Sequence, residues 1–143
     1  MYNNLETTQR IFTKIQNEFP LLHMTVHKTA FTKLSMHIPA QEGLKFDVHL
    51  NLKNTDELQL SAGIFSCEWY PCTQQKKVDQ FLDAVNGILS GEYRILEHYR
   101  WKFAVKAQLQ IFDNDGWKTV ATWGTFHFPW PWKKEYHILQ NLP

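Results

Sequence analysis

Apolar residues recur with two different periods along this chain, and the change from one to the other divides it into elements. Over residues 4–19, Leu5, Thr8, Phe12, Ile15 and Phe19 follow one another at alternating steps of three and four, which lays them along one side of a helix. Asn3 is placed to cap it, and Glu6 three residues on suits a capping box. Pro20 ends it, because the residue before a proline is pushed out of the helical region.

From Leu21 to Tyr70 the period is two. Leu22, Met24 and Val26 alternate with His23, Thr25 and His27, and Leu34, Met36 and Ile38 alternate with Ser35 and His37. Leu44 to Leu52 alternates with Lys45, Asp47, His49 and Asn51. Each segment reads as a strand with one buried side. Pro39 to Gly43 and Asn54 to Asp56 supply turns. Leu58, Leu60, Ala62 and Ile64 continue the alternation, but Phe65, Cys67 and Trp69 take the opposite parity. A bulge near Gly63 accounts for the switch, and a strand buried on both sides is the alternative.

Thr73, at a cap position, opens a second helix whose stripe is Val78, Phe81, Leu82, Val85, Ile88 and Leu89, closed at Gly91 by a left-handed cap. Residues 92–100 carry strand alternation at Tyr93, Ile95 and Tyr99 together with reasonable helix propensity, so both readings stay open. Phe103, Val105, Ala107, Leu109 and Ile111 then mark a strand. Asp113 to Gly116 forms a hairpin turn, and a Thr- and Trp-rich strand returns from Trp117 to Phe128.

The order is α-β-β-β-β-α-β-β-β. One-sided alternation and short connections point to a single α+β domain, with an antiparallel sheet of about six to seven strands covered on one face by both helices. The layout is similar to that of type III secretion chaperones and of some small immunity proteins, without a motif of either, and layout alone carries no function.

A length of 143 residues suffices for a continuous core. Fifteen Lys and Arg against fourteen Asp and Glu leave no global field to attract nucleic acid or an acidic membrane, so any basic site is local. Two cysteines cannot make a disulfide framework, Met1 to Arg10 is too polar for a signal peptide, and no apolar run spans a bilayer. A cytoplasmic protein with reduced thiols is expected.

Seven His residues raise metal binding, but His23 and His27 are too far apart along one strand to share an ion, and solvated His is the plainer reading of these two and of His37 and His49. No metal and no cofactor is expected. Cys67 and Cys72 lack the spacing of a redox pair and read as small core residues, although Cys72 precedes the Thr73 cap, where a reactive thiol is conceivable. Lys76 and Lys77, in the first turn of the second helix, are the anion-site candidate, against a plainer reading as solvated side chains.

Glu97, His98 and Tyr99 hold an acid, a base and a phenol in succession, the raw material of proton transfer in a pocket between helices and sheet. A strand there turns Glu97 toward the core, where a structural carboxylate with a hydrogen-bond partner is the competing role. The most unusual stretch is WGTFHFPWPWKK. Alternating prolines keep Trp130 and Trp132 extended, and with Trp123, Lys133 and Lys134 they form a candidate binding platform, or else close the core.

The absence of a nucleophile elbow, phosphate loop or zinc signature favours a non-enzymatic binding module over a small enzyme. It would use the sheet face and the Trp-Pro segment to hold a protein partner or a second copy. Nucleic acid is the disfavoured ligand, because it requires Lys102, Lys106 and Lys118 on one face.

Overall fold

The computed structural model describes residues 4–28, 34–124 and 133–141. Helix α1 (Asn4–Glu18) is followed by strands β1 (Thr25–His27), β2 (Leu34–Ile38), β3 (Val48–Lys53), β4 (Glu57–Ala62) and β5 (Phe65–Trp69). Helix α2 (Gln75–Ser90) comes next, and then β6 (Tyr93–Arg100), β7 (Phe103–Asp113), β8 (Gly116–Trp123) and β9 (Lys134–Gln140). The α+β class and the succession of helix, strands, helix and strands agree with the sequence, with nine described strands where about six to seven were expected.

The sheet is not continuous. The strands form two antiparallel sheets, β1-β2-β3-β4-β5 and β8-β7-β6-β9. The physical reason lies in α2, which separates β5 from β6 in the chain and buries Val78, Phe81, Leu82, Ala84, Val85, Gly87, Ile88 and Leu89. A stripe that wide packs against β4 and β5 of one sheet and β6 of the other, while α1 packs on β2 and touches α2. Phe81 meets the Trp69 ring of β5 edge-on at 5.7 Å. Gly87 lies so close to Tyr93 of β6 that a Cβ would collide with the ring. Residues 93–100 are strand, because their odd-numbered side chains have this interior to enter.

The parity switch at Gly63 is a hairpin, not a bulge. Ala62 pairs with Phe65 across a turn made by Gly63 and Ile64. Gly63 has φ 56°, a conformation open to glycine. The turn reaches the second sheet, where Glu97 Oε2 accepts the Ile64 N–H at 2.7 Å. Strand β9, absent from the expected element order, pairs with β6 from Arg94↔Gln140 to Arg100↔Lys134.

Asn141, buried just after β9, donates from Nδ2 to Leu89 O at 2.6 Å and to Gly43 O at 2.7 Å. Gln140 Nε2 donates to Gly91 O at 2.9 Å. The C-terminal strand thus satisfies carbonyls that the end of α2 leaves without helical partners. Gly91 closes that helix with φ 85°, as its sequence position predicts. At the other end the cap residue is Gln74, one position beyond Thr73, and it makes no side-chain capping bond.

A Cβ at position 63 would strike both Glu97 Oε2 and Leu139 Cδ1. Gly63→Ala is expected to lower unfolding free energy by about 2–3 kcal/mol, combining overpacking with backbone strain. Glu97→Ala, which leaves the Ile64 N–H without its acceptor, costs about 1–3 kcal/mol. Gly116→Ala, with nothing within 4 Å of the added atom, costs less than Gly63→Ala. Urea unfolding of the three variants checks the order.

Candidate functional site

Strand alternation sorts the second sheet into two faces. Ile95, Glu97, Ala107 and Leu109 are buried on the inner one. The outer face is built from side chains in register: Thr119, Gln110, Arg94 and Gln140 form one row across the four strands, and Thr122, Gln108, Leu96 and Ile138 the next. Lys106, His98 and Tyr136 follow, and then Phe103, Arg100 and Lys134.

Neighbouring side chains hold this surface in place. Arg94 Nε donates to Gln110 Oε1 at 2.9 Å, and its guanidinium carbon lies 4.0 Å from the centre of the Trp117 ring. Gln110 Nε2 donates in turn to Thr119 Oγ1 at 3.2 Å. His98 Nε2 sits 2.8 Å from Gln108 Oε1, and its ring meets Tyr136 edge-on at 5.1 Å. Burial lowers the pKa of His98, with the positive charges of Lys106 and Arg100 acting in the same direction and the Gln108 contact opposing them.

Large apolar groups nevertheless remain in solvent. Tyr136 is 55% and Ile138 54% exposed, adjacent on β9, and Phe112 is 64% exposed beside Trp117. Among the described strand residues of this face none is Asp or Glu, whereas Arg94, Arg100, Lys106 and Lys134 are cationic. The face therefore combines a positive local field with exposed anchors, within a chain of formal net charge +1.

The residues singled out from sequence divide between several places. Glu97 and Tyr99 point inward and His98 outward, so the three do not line one pocket; Tyr99 meets His137 edge-on at 5.0 Å. Trp123 pairs with Ala107 and packs against the core, while Lys134 joins the outer face and Lys133 O accepts the Trp101 N–H at 3.1 Å. Trp130 and Trp132 lie outside the described residues. Lys76 and Lys77 occupy the first turn of α2, where the Lys77 N–H already donates to Gln74 O at 3.0 Å.

Of the lysines that nucleic-acid binding required together, Lys106 is on the outer face, Lys102 is in the β6–β7 turn, and Lys118 opposes Ile111 on the inner-face register. Burial raises the pKa of both free cysteines, Cys67 and Cys72, and so disfavours their thiolates. A groove of about 290 Å³ opens where α2 meets both sheets, with Trp69, Asp83, Tyr93 and Val120 on its walls.

On the five-stranded sheet, His37, Asp47 and His49 each place a ligand atom within 4.8 Å of the others. A backbone N–H from Ala40, at 2.6 Å, is the main cause lowering the pKa of Asp47. Burial lowers that of His49, aided by His37 and opposed by Asp47.

The Tyr136–Ile138 pair had a signal in the sequence, the alternation of residues 134–140. The adjoining Trp-Pro tract outweighs it. Comparison with protein families, with curated protein sequences and with solved structures gives no match, so the functional reading rests on geometry. Among the described residues no helix is long and apolar enough to cross a membrane.

Because the folded state lowers the pKa of His98 below 6.5, the unfolded chain takes up that proton first on acidification. The associated stabilisation is complete above about pH 6.5 and is lost as the pH falls through the folded value. Between about pH 7.5 and 5, wild type is expected to lose more stability than His98→Gln, measured as the drop in urea midpoint.

Proposed function

We propose that this protein is a non-enzymatic binding module that docks an acidic, partly apolar protein segment on the outer face of its four-stranded sheet. The observation that carries the reading is the conjunction on that face of Arg100, Lys106 and Lys134 with exposed Tyr136 and Ile138, and with no carboxylate among its described strand residues. Tyrosine and arginine are the side chains that anchor protein interfaces, and a one-signed field steers a partner of opposite sign.

Charge also selects between occupants. Two copies meeting face to face would set Arg100, Lys106 and Lys134 against their own likenesses, which disfavours a symmetric dimer through this surface. Single-stranded nucleic acid needs open ring faces and a continuous basic track. Here Arg94 covers Trp117, the His98 ring meets Tyr136 edge-on, and Lys118 has inner-face register.

In this reading the chain is one domain, supported by a single contiguous apolar cluster drawn from both helices and both sheets. It works in the cytoplasm, supported by two free cysteines whose thiolates burial disfavours.

A synthetic peptide alternating Glu with Leu and Tyr, titrated into the isotope-labelled protein, is expected to shift amide signals of β6 and β9 in a saturable and salt-sensitive way. Arg100→Glu with Lys106→Glu weakens that binding about tenfold or more, and Lys118→Glu leaves it unchanged. Shifts centred elsewhere, or none that saturate, overturn the reading. Tighter binding of oligothymidylate, abolished by the same double reversal, replaces the protein partner with nucleic acid.

A further inference from the structure

The five-stranded sheet has an outer face of its own. Leu34, Met36 and Ile38 of β2 and Val48, Leu50 and Leu52 of β3 are buried, so Ser35, His37, His49 and Asn51 turn away from the core. His37 and His49 are direct partners in the β2–β3 register. Their rings stack at 4.4 Å with 2° between the planes. Asp47, two residues before His49, brings Oδ2 to 3.7 Å from His37 Nε2. Its other oxygen is fixed by the Ala40 N–H at 2.6 Å.

One atom in this arrangement lacks a hydrogen-bond partner. His37 Nε2 is buried and makes no hydrogen bond, a costly state for a polar atom. Its ring is stacked on a second imidazole, and the nearest carboxylate oxygen is beyond hydrogen-bonding distance. The side chain as a whole is 38% exposed, yet this nitrogen is turned away from water.

We infer that His37, Asp47 and His49 bind a borderline first-row divalent cation of the zinc and nickel class. Two imidazoles and one carboxylate match the nitrogen and oxygen preference of these ions, and three protein ligands leave a position for water. The three ligand atoms, within 4.8 Å of one another, must close to roughly 3.3 Å around an ion with bonds of about 2.1 Å. Asp47 and His49 are exposed, so side-chain rotation alone can close the gap, while the β2–β3 register fixes the backbone beneath them. The Ala40 N–H serves as the outer-shell donor that orients the carboxylate.

Sequence spacing hid this set, because His37 and His49 lie on separate strands that only the sheet register brings opposite one another. The site stands on the other sheet from the docking face and does not depend on it.

The test uses the untagged full chain, stripped with chelator and titrated with zinc chloride in a calorimeter. One ion per chain is expected, with affinity reduced about tenfold or more by His37→Ala, by His49→Ala and by Asp47→Asn, and unchanged by His23→Ala or His27→Ala. Nickel added to the wild-type protein gives a readout that needs no variant, broadening the imidazole proton signals of His37 and His49 before those of the other histidines. Urea midpoints of the variants separate lost ligands from lost folding. Absence of saturable binding, binding unaltered in folded His37→Ala and His49→Ala, or broadening centred on other histidines overturns the assignment.

Discussion

A single helix serving two sheets is the constraint on which this structure depends. The buried stripe of α2 spans Val78 to Leu89 and includes Ala84 and Gly87, where small size lets a strand approach. Larger residues there would hold β6 away, since the Tyr93 ring already occupies the space a Cβ at Gly87 would need. Both sheets thus bury one side against the same element, and the opposite side of each is left to face solvent.

That division gives the two solvent faces different chemistry. On the second sheet, His98, Arg100 and Lys106 lie alongside Tyr136 and Ile138. On the first, Asn51 Nδ2 donates to Gln59 Oε1 and Gln59 Nε2 to Ser66 Oγ, a polar ladder beside the stacked pair of His37 and His49. The outer face of the four-stranded sheet thus sets positive charge beside exposed apolar groups, and that of the five-stranded sheet gathers nitrogen and oxygen ligands. Glu97, a residue with the chemistry for catalysis, is committed to the join between the sheets, where it accepts the Ile64 N–H.

Much of the architecture was legible because one-sided burial writes itself into the sequence as period. The stripe of α1 and the alternation at Leu34–Ile38 and Val105–Leu109 each predicted the side that is buried, whereas Phe103, read with them, lies exposed on the outer face beyond the register shift at His98 and Tyr99. The inward turn of Glu97 followed from the same parity. Less legible were Gly63, where a parity switch fits a bulge and a two-residue hairpin equally well, and β9, whose short alternation stood next to the more conspicuous Trp-Pro tract. The candidate surface was half legible: Lys134 belongs to the conspicuous Trp-Pro-Lys tract, while Arg100, Tyr136 and Ile138 became its members only through β6–β9 pairing.

The sequence by itself determined the succession of helix, strands, helix and strands, the inward side of most of them and the left-handed close of α2 at Gly91. These follow from local sterics and from the match between side-chain period and backbone period. Tertiary structure decided the split into two sheets, the Glu97–Ile64 bond, and the meeting of His37 with Asp47 and His49. Each depends on which strands lie side by side, and the pairing of strands is set by packing against a shared core, which no local spacing records.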